Sequence, residues 1–384
     1  MLPYARPSIT DAEVREVEDC LRSGWLSTGP RAQRFEAALA ERLGVRHALG
    51  VSSGTAALHL AVLAAAVGPG DEVITTPITW VSTANVVLHA GGQPVFVDVE
   101  PETLNLDVGR VEAAITPRTR AVLPVHYAGQ PCDMDPLLEL AQARGLSVIE
   151  DAAHALGASY KGRAIGSLGD VTMFSFHPAK NLTTGEGGGL ATNSDELAER
   201  MRVLRFHGID QRPDARFGGR GAASYDLLAA GFKYNFTDLQ AAIGLQQLER
   251  LDAMNERRAQ LAKLYQARLA QIPHVRALGT VPYEHVHAWH ILVVQVDVDA
   301  LGVERDAVIA TLREEGVGAG LHFVPLHQLS LYRDVADPAD LPVATEAGRR
   351  ILTLPLFPDM SDADVDFVVD TLEQVVRRHT RSGT

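Results

Sequence analysis

Asp151 closes a run of strand-type residues, Val148-Ile-Glu-Asp-Ala-Ala-His154, and Lys180 follows one supersecondary unit later in Phe174-Ser-Phe-His-Pro-Ala-Lys180-Asn-Leu-Thr-Thr-Gly-Glu-Gly187. A lysine amine that loses its proton forms an imine with an aldehyde. A carboxylate at a strand end protonates and holds a pyridine nitrogen. Pyridoxal 5'-phosphate needs both groups, and few other cofactors do. The candidate amines are scarce: of 35 basic residues only Lys161, Lys180, Lys233 and Lys263 are lysine, and arginine keeps its proton. Lys161 sits in the turn sequence Tyr-Lys-Gly-Arg between short strands, and Lys263 falls on a solvated helical face. Lys233, in Gly-Phe-Lys-Tyr-Asn, stays open as a second candidate. Lys180, beside Ser175, His177, Thr183, Thr184 and a glycine run, is the better one.

A phosphate needs free N–H groups. Val51-Ser-Ser-Gly-Thr-Ala-Ala57 passes from a strand into a helix N-terminus, where the first N–H groups and the helix dipole favour an anion; Gly54 permits close approach and Thr55 adds a hydroxyl. By itself the segment also fits an ordinary capped helix. It is neither a Walker sequence nor a GxGxxG. Ser175, five residues before Lys180, is a second phosphate ligand, whereas Gly185-Glu-Gly-Gly-Gly189 leads into a strand and reads as close backbone packing beside the lysine. Trp80 lies near the C-terminal end of a strand, the side on which α/β sheets bind ligands, and either stacks on a pyridine ring or fills a core. His154 either orients Asp151, touches the cofactor, or is structural.

Stepping outward, strands and helices alternate through the first two-thirds of the chain. The pattern predicts helices over Thr10–Ser23, Arg31–Leu43, Gly54–Ala66, Thr79–Ala90 and Pro136–Arg144. Strands are expected at His47–Ser52, Glu72–Thr76, Pro94–Val99, Ala121–Pro124, Ser147–Glu150, Val171–Ser175 and Gly189–Thr192. This is an α/β pattern, a mostly parallel sheet covered by helices on both sides. From Gly231 the pattern changes to a long helix, Thr237–Ala270, then a strand at Trp289–Val298 and helices at Arg305–Glu315 and Ser361–Arg378. Two domains are expected, residues 1–244 and a smaller α+β unit at 245–384.

Composition excludes several classes. A net charge of −13 without a Lys/Arg stripe disfavours nucleic acid as a partner. Cys20 and Cys132 have no metal-type spacing and fit a reduced compartment. The start lacks an apolar signal core, and the apolar run Ala56–Val67 is too short to span a bilayer, so the expectation is a cytoplasmic protein with no metal and no membrane association.

Taken together the segments carry a resemblance. Ser23-Gly-Trp-Leu-Ser-Thr-Gly-Pro30, Ser52-Ser-Gly-Thr-Ala-Ala57, Pro77-Ile-Thr-Trp-Val-Ser82, Pro124-Val-His-Tyr-Ala-Gly129, Glu150-Asp-Ala-Ala-His154, Ser175-Phe-His-Pro-Ala-Lys180 and Gly231-Phe-Lys-Tyr-Asn235 occur in order over nearly the whole chain. In this the chain resembles the sugar-nucleotide aminotransferases of the fold-type I pyridoxal-phosphate enzymes. His287-Ala-Trp-His290, Gly320-Leu-His-Phe323 and Leu354-Pro-Leu-Phe-Pro-Asp-Met360 are similar to UDP-4-amino-4-deoxy-L-arabinose aminotransferase. His322-Phe-Val-Pro-Leu-His327 resembles the enzymes for 4-amino-4,6-dideoxy sugars.

The resemblance implies an aspartate-aminotransferase-like large domain with a seven-stranded-type sheet. It implies Lys180 as the imine lysine, Asp151 on the pyridine nitrogen, and Trp80 and His154 against the ring. Gly54, Thr55 and Ser175 would take the phosphate, with Asn235 reaching it from the second subunit of a homodimer with shared sites. His322, with Tyr127 and Lys233, would serve the sugar. The implied reaction moves an amino group from glutamate to the C4 keto group of a UDP- or dTDP-linked sugar, the cofactor alternating with pyridoxamine phosphate. A C3-keto sugar or ketocyclitol substrate, or a non-catalytic binding relative, are the alternatives.

Overall fold

The apolar strand segments assemble, in a computed structural model that describes residues 1–210 and 224–382, into one seven-stranded sheet. Across it the order is His47–Val51, Gly188–Thr192, Val171–Ser175, Ser147–Asp151, Thr119–Leu123, Glu72–Thr75 and Gln93–Phe96. Every neighbouring pair is parallel except those involving Gly188–Thr192, which runs antiparallel to both of its neighbours. The parallel strands therefore end on one edge, and Asp151 and Ser175 stand as the last residues of adjacent strands there. The strands are buried on both faces, which is why Val, Ile and Leu dominate them without strict alternation.

The helix Gly54–Ala64 is buried nearly all round because alanine and leucine occupy both of its faces, and Ser53 caps it by accepting from Ala56 N at 3.1 Å. Its N-terminus abuts the glycine run: a Cβ on Gly188 would lie 2.4 Å from the Ser53 carbonyl oxygen, so only glycine lets this strand pass. The lysine-bearing loop behind it is closed by backbone bonds, Phe176 N to Gly187 O at 2.9 Å and Thr184 N to Phe176 O at 3.0 Å. Phe35, Phe176 and Phe236 pack beneath that loop, with ring centroids 5.2 to 6.5 Å apart.

The long helix is Asp238–Leu269, opened by a capping box between Thr237 and Gln240. Leu245, Leu248 and Leu251 join the core under the large sheet, whereas Leu261, Ala262, Tyr265 and Leu269 join a second core. The helix is thus shared by both. The second core lies under a three-stranded antiparallel sheet, Val275–Ala277, Leu292–Val296 and Ile351–Leu354, with helices Arg305–Glu314 and Asp362–Ser382. No helix among the described residues is long and apolar enough to cross a membrane.

Two expected elements have different bounds, and further elements are added. The helix expected at Thr79–Ala90 runs only over Ser82–His89, since residues 77–81 form an irregular loop at the sheet edge. The strand expected at Trp289–Val298 is Leu292–Val296, because Trp289 takes a left-handed backbone (φ 48°) and His290 N bonds Ala128 O instead of a strand partner. Helices Val108–Ala114, Asp195–Leu204 and Pro342–Arg350 and the strand Ile351–Leu354 were not anticipated.

Candidate active site

Where the parallel strands end, a cleft of about 340 Å³ opens between the large sheet and the segments 288–290 and 320–323. Gly54, Thr55, Trp80, Asp151, His154, Ser175 and Lys180 all line it, as does His322 from the C-terminal unit. The other lysines are elsewhere and exposed: Lys161 is paired with Asp135 at 2.7 Å, Lys263 faces outward from the long helix, and Lys233 holds its Nζ 4.3 Å from the Phe206 ring centroid. Lys180 is the amine in the cleft.

Lys180 Nζ lies 3.5 Å from His290 Nε2. Burial pulls its pKa down to about 8, with Asp151 acting in the opposite direction. The amine is therefore neutral far more often than an exposed lysine. Asp151 is almost fully buried and forms no ion pair among the described residues; it accepts from Thr83 Oγ1 at 2.8 Å and from Ala153 N at 3.1 Å. Burial raises its pKa, opposed by those two bonds and by Lys180. A buried carboxylate so raised calls for a cation, and a protonated pyridine nitrogen supplies one.

Its neighbour Glu150 points to the other face of the strand and shows the contrast. Burial raises Glu150 too, but bonds from His126 Nε2 (2.9 Å), Thr172 Oγ1 (2.7 Å) and Gly169 N (2.7 Å) outweigh it and hold the pKa low. Since His126 Nδ1 accepts from Cys132 N at 3.0 Å, Nε2 carries the proton given to Glu150. Glu150 is a satisfied structural carboxylate; Asp151 is not.

The phosphate end is equally specific. The N–H groups of Gly54 and Thr55 stand at the first turn of the buried helix, and a Cβ on Gly54 would lie 2.9 Å from Ser175 Cβ, so glycine lets this first turn close onto Ser175. His154 and His290, both buried, lie with ring centroids 4.3 Å apart at a 44° tilt, and each has an Nδ1 without a hydrogen-bond partner among the described residues. Unpartnered buried nitrogens in a cleft with a lysine, an acid and a phosphate cup fit pyridoxal phosphate.

The opposite wall is aromatic. Trp80 is 58% exposed and lies 5.8 Å from Phe323, while Tyr4 approaches His322 at 5.5 Å. His322 Nδ1 meets Thr353 Oγ1 at 2.9 Å, and burial lowers its pKa to about 4. Tyr127 is not at this surface: it is fully buried, and its hydroxyl donates to the His322 carbonyl. Asn235 lies outside its own chain's cleft lining, donating to Thr28 Oγ1 at 2.8 Å. Sequence reasoning did not assign Thr83, His290 or Phe323 to the site. His290 had been quoted in a motif, but an isolated histidine has no spacing to mark it. Thr83 sits in a helix, Ser82–His89, whose sequence carries no spacing that ties it to Asp151.

Comparison with known proteins places these features. The profile of the DegT/DnrJ/EryC1/StrS aminotransferase family matches residues 7–373. The chain is 48% identical over 382 residues to the spore coat polysaccharide biosynthesis protein SpsC of Bacillus subtilis, covering 98% of this chain and 97% of SpsC. Spr1654 from Streptococcus pneumoniae in its PLP form superposes with a TM-score of 0.90 at 32% identity, covering 98% of this chain and 99% of that one. Its PMP form gives 0.91 at 31%, covering 99% and 100%. PseC of Helicobacter pylori, an aminotransferase involved in the biosynthesis of pseudoaminic acid, gives 0.91 at 28% identity, covering 98% and 99%.

Proposed function

The chain belongs to the DegT/DnrJ/EryC1/StrS aminotransferase family, a pyridoxal-phosphate-dependent sugar aminotransferase, and from that premise we propose that it moves an amino group from glutamate to the C4 keto group of a UDP- or dTDP-linked sugar. The observation that carries the reading is the pairing of Asp151 and Lys180 at one end of a cleft whose other wall is aromatic and open to solvent. Bound at this site, pyridoxal phosphate supplies an aldehyde for the lysine and a ring that absorbs the electron pair left when a carbon–hydrogen bond is broken.

Each protein group has a part. Lys180 would bind the aldehyde and, when freed by the donor, would serve as base toward the donor's α-carbon and then as acid; the lowered pKa suits the amine to both roles. Asp151 would keep the proton on the ring nitrogen, Gly54, Thr55 and Ser175 would hold the phosphate, and Trp80 and His154 would lie against the ring. Phe323 and the neutral His322, beside Trp80, form the wall available to a sugar, whose apolar face packs on aromatic rings and whose hydroxyls reach the imidazole.

Asn235 completes the phosphate site from the partner subunit of a homodimer. Its position away from its own cleft supports this.

Purified holoenzyme should release 2-oxoglutarate from glutamate with UDP- or dTDP-4-keto sugars. Turnover confined to 3-keto sugars or ketocyclitols would overturn the C4 assignment. Mixing inactive Lys180→Ala and Asn235→Ala subunits should restore activity by forming one intact composite site; no restoration in verified mixed dimers would refute sharing.

A further inference from the structure

One turn of the long helix touches the lysine loop and the His290 segment at once. Asn181, next to Lys180 in the chain, donates through Nδ2 to Asn255 Oδ1 at 2.7 Å and to Ala288 O at 2.6 Å. Asn255 Nδ2 donates in turn to Leu156 O at 3.0 Å. Gly157 has a φ of 88°, and a Cβ there would lie 2.4 Å from that nitrogen. Three residues along the same face, Arg258 donates through Nη1 to Leu356 O at 2.8 Å, His290 O at 3.1 Å and Trp289 O at 3.4 Å. The left-handed backbone at Trp289 turns its carbonyl and the next toward the same guanidinium nitrogen.

Arg258 is 2% exposed and has no carboxylate partner among the described ion pairs, and its Nε is buried without an acceptor. Burying a guanidinium so incompletely paired is costly, and a hydrocarbon side chain would fill the space without that cost. What the cation does is grip three carbonyls, two of them at His290 and the residue before it. With His290 N fixed to Ala128 O at 3.0 Å, the His290 backbone is held from both sides.

We infer that Asn255 and Arg258 are positioning residues for the catalytic lysine: from one helical turn they hold the Lys180 and His290 segments together, so that His290 Nε2 accepts from and orients the Lys180 amine. The inference rests on the aminotransferase reading but on no choice of sugar or donor. The pKa of His290 lies well below that of a free imidazole, through burial first and then the nearby charges of Lys180, His154, Arg258 and His322, which leaves Nε2 free to accept. The other titratable groups facing Lys180 are Asp151, His154, His177, Glu186 and His322, with the Tyr4 phenol at the same cleft.

The test is capture of pyridoxal phosphate by apoenzyme, followed as growth of the visible absorbance of the lysine-bound cofactor across pH. The wild-type midpoint should fall near the Lys180 value of about 8. H290F removes an acceptor that favours the charged amine, so its midpoint should drop by about half a pH unit, with capture slowed about tenfold. R258K keeps the charge but not the three-carbonyl grip, and N255A takes from Asn181 one of its two acceptors; both should shift the midpoint the same way. Neither should add to H290F in a double variant, since both act through the contact between His290 and Lys180. A wild-type midpoint with capture within about twofold of normal in R258K and N255A overturns the proposal, as does full additivity. Should neither fold, H290F decides: an unmoved midpoint sinks it. Loss of sugar turnover with normal capture would count against the function proposed above and leave this inference standing.

Discussion

The two walls of the cleft are built differently. The cofactor wall consists of side chains at the ends of adjacent parallel strands and the first turn of one helix, so Gly54, Asp151 and Ser175 inherit their positions from the most deeply buried part of the molecule. The sugar wall is made of irregular segments, at Tyr4 and at His322 and Phe323, joined by single contacts such as Tyr127 hydroxyl to His322 carbonyl and His322 to Thr353. The difference teaches where change is tolerated. A sheet edge fixes several groups at once, whereas a wall of separate segments can alter one ring at a time and accept a different sugar.

The contrast breaks first at Lys180. Lys180→Ala should remove the visible absorbance of bound cofactor and cut turnover about ten-thousandfold, since no other described lysine lines the cleft. Retained absorbance in that variant would show that another amine serves. Asp151→Asn should keep the cofactor, held by the phosphate cup, yet lower both half-reactions by about two to three orders of magnitude. Rapid-mixing spectra separate binding from chemistry, and near-normal rates would deny Asp151 its part.

The same contrast explains what could be read from sequence alone. The strand order's raw material, the helix at Gly54 and the pair Asp151 and Lys180 were legible because buried strands and glycine-marked turns leave contiguous patterns. Ser361 could likewise be read as a cap, and its hydroxyl accepts from Asp364 N at 3.2 Å. The strand Ile351–Leu354 was not legible, since it follows the helix Pro342–Arg350 with no glycine or proline between them. His290 and Thr83 were missed for a related reason: each acts through a contact distant in sequence, His290 with Lys180 110 residues away and Thr83 with Asp151 68 residues away. The second-subunit role proposed for Asn235 is one that a single chain does not display.

On the sugar wall effects should be smaller and selective. His322→Ala removes a neutral imidazole from the acceptor side, so KM for the keto sugar should rise about tenfold while the glutamate half-reaction changes less than about threefold. With its pKa lowered to about 4 by burial, His322 stays uncharged above that value. Its contribution to KM should therefore be flat from pH 5 to 8, and a KM that climbs through pH 6.5 would mean the ring is charged in use. Equal damage to both half-reactions would erase the division between the walls.

The finest test is Tyr127→Phe. Tyr127 is fully buried, its hydroxyl meets the cleft at the His322 carbonyl while its ring, kept in this variant, lies 6.3 Å from that of His154, and it loses a single hydroxyl. A neutral hydrogen bond is worth about 1 kcal/mol, and the carbonyl left without its donor adds a comparable cost. If the sugar wall is held by separate contacts, that loss should appear as a fewfold rise in KM for the keto sugar. Cofactor capture and the glutamate half-reaction should be unchanged, because neither depends on where residue 322 sits. If instead the two walls move as one body, Tyr127→Phe should slow both half-reactions by the same factor. The ratio of the two effects in one variant then measures how far the sugar wall is independent of the sheet.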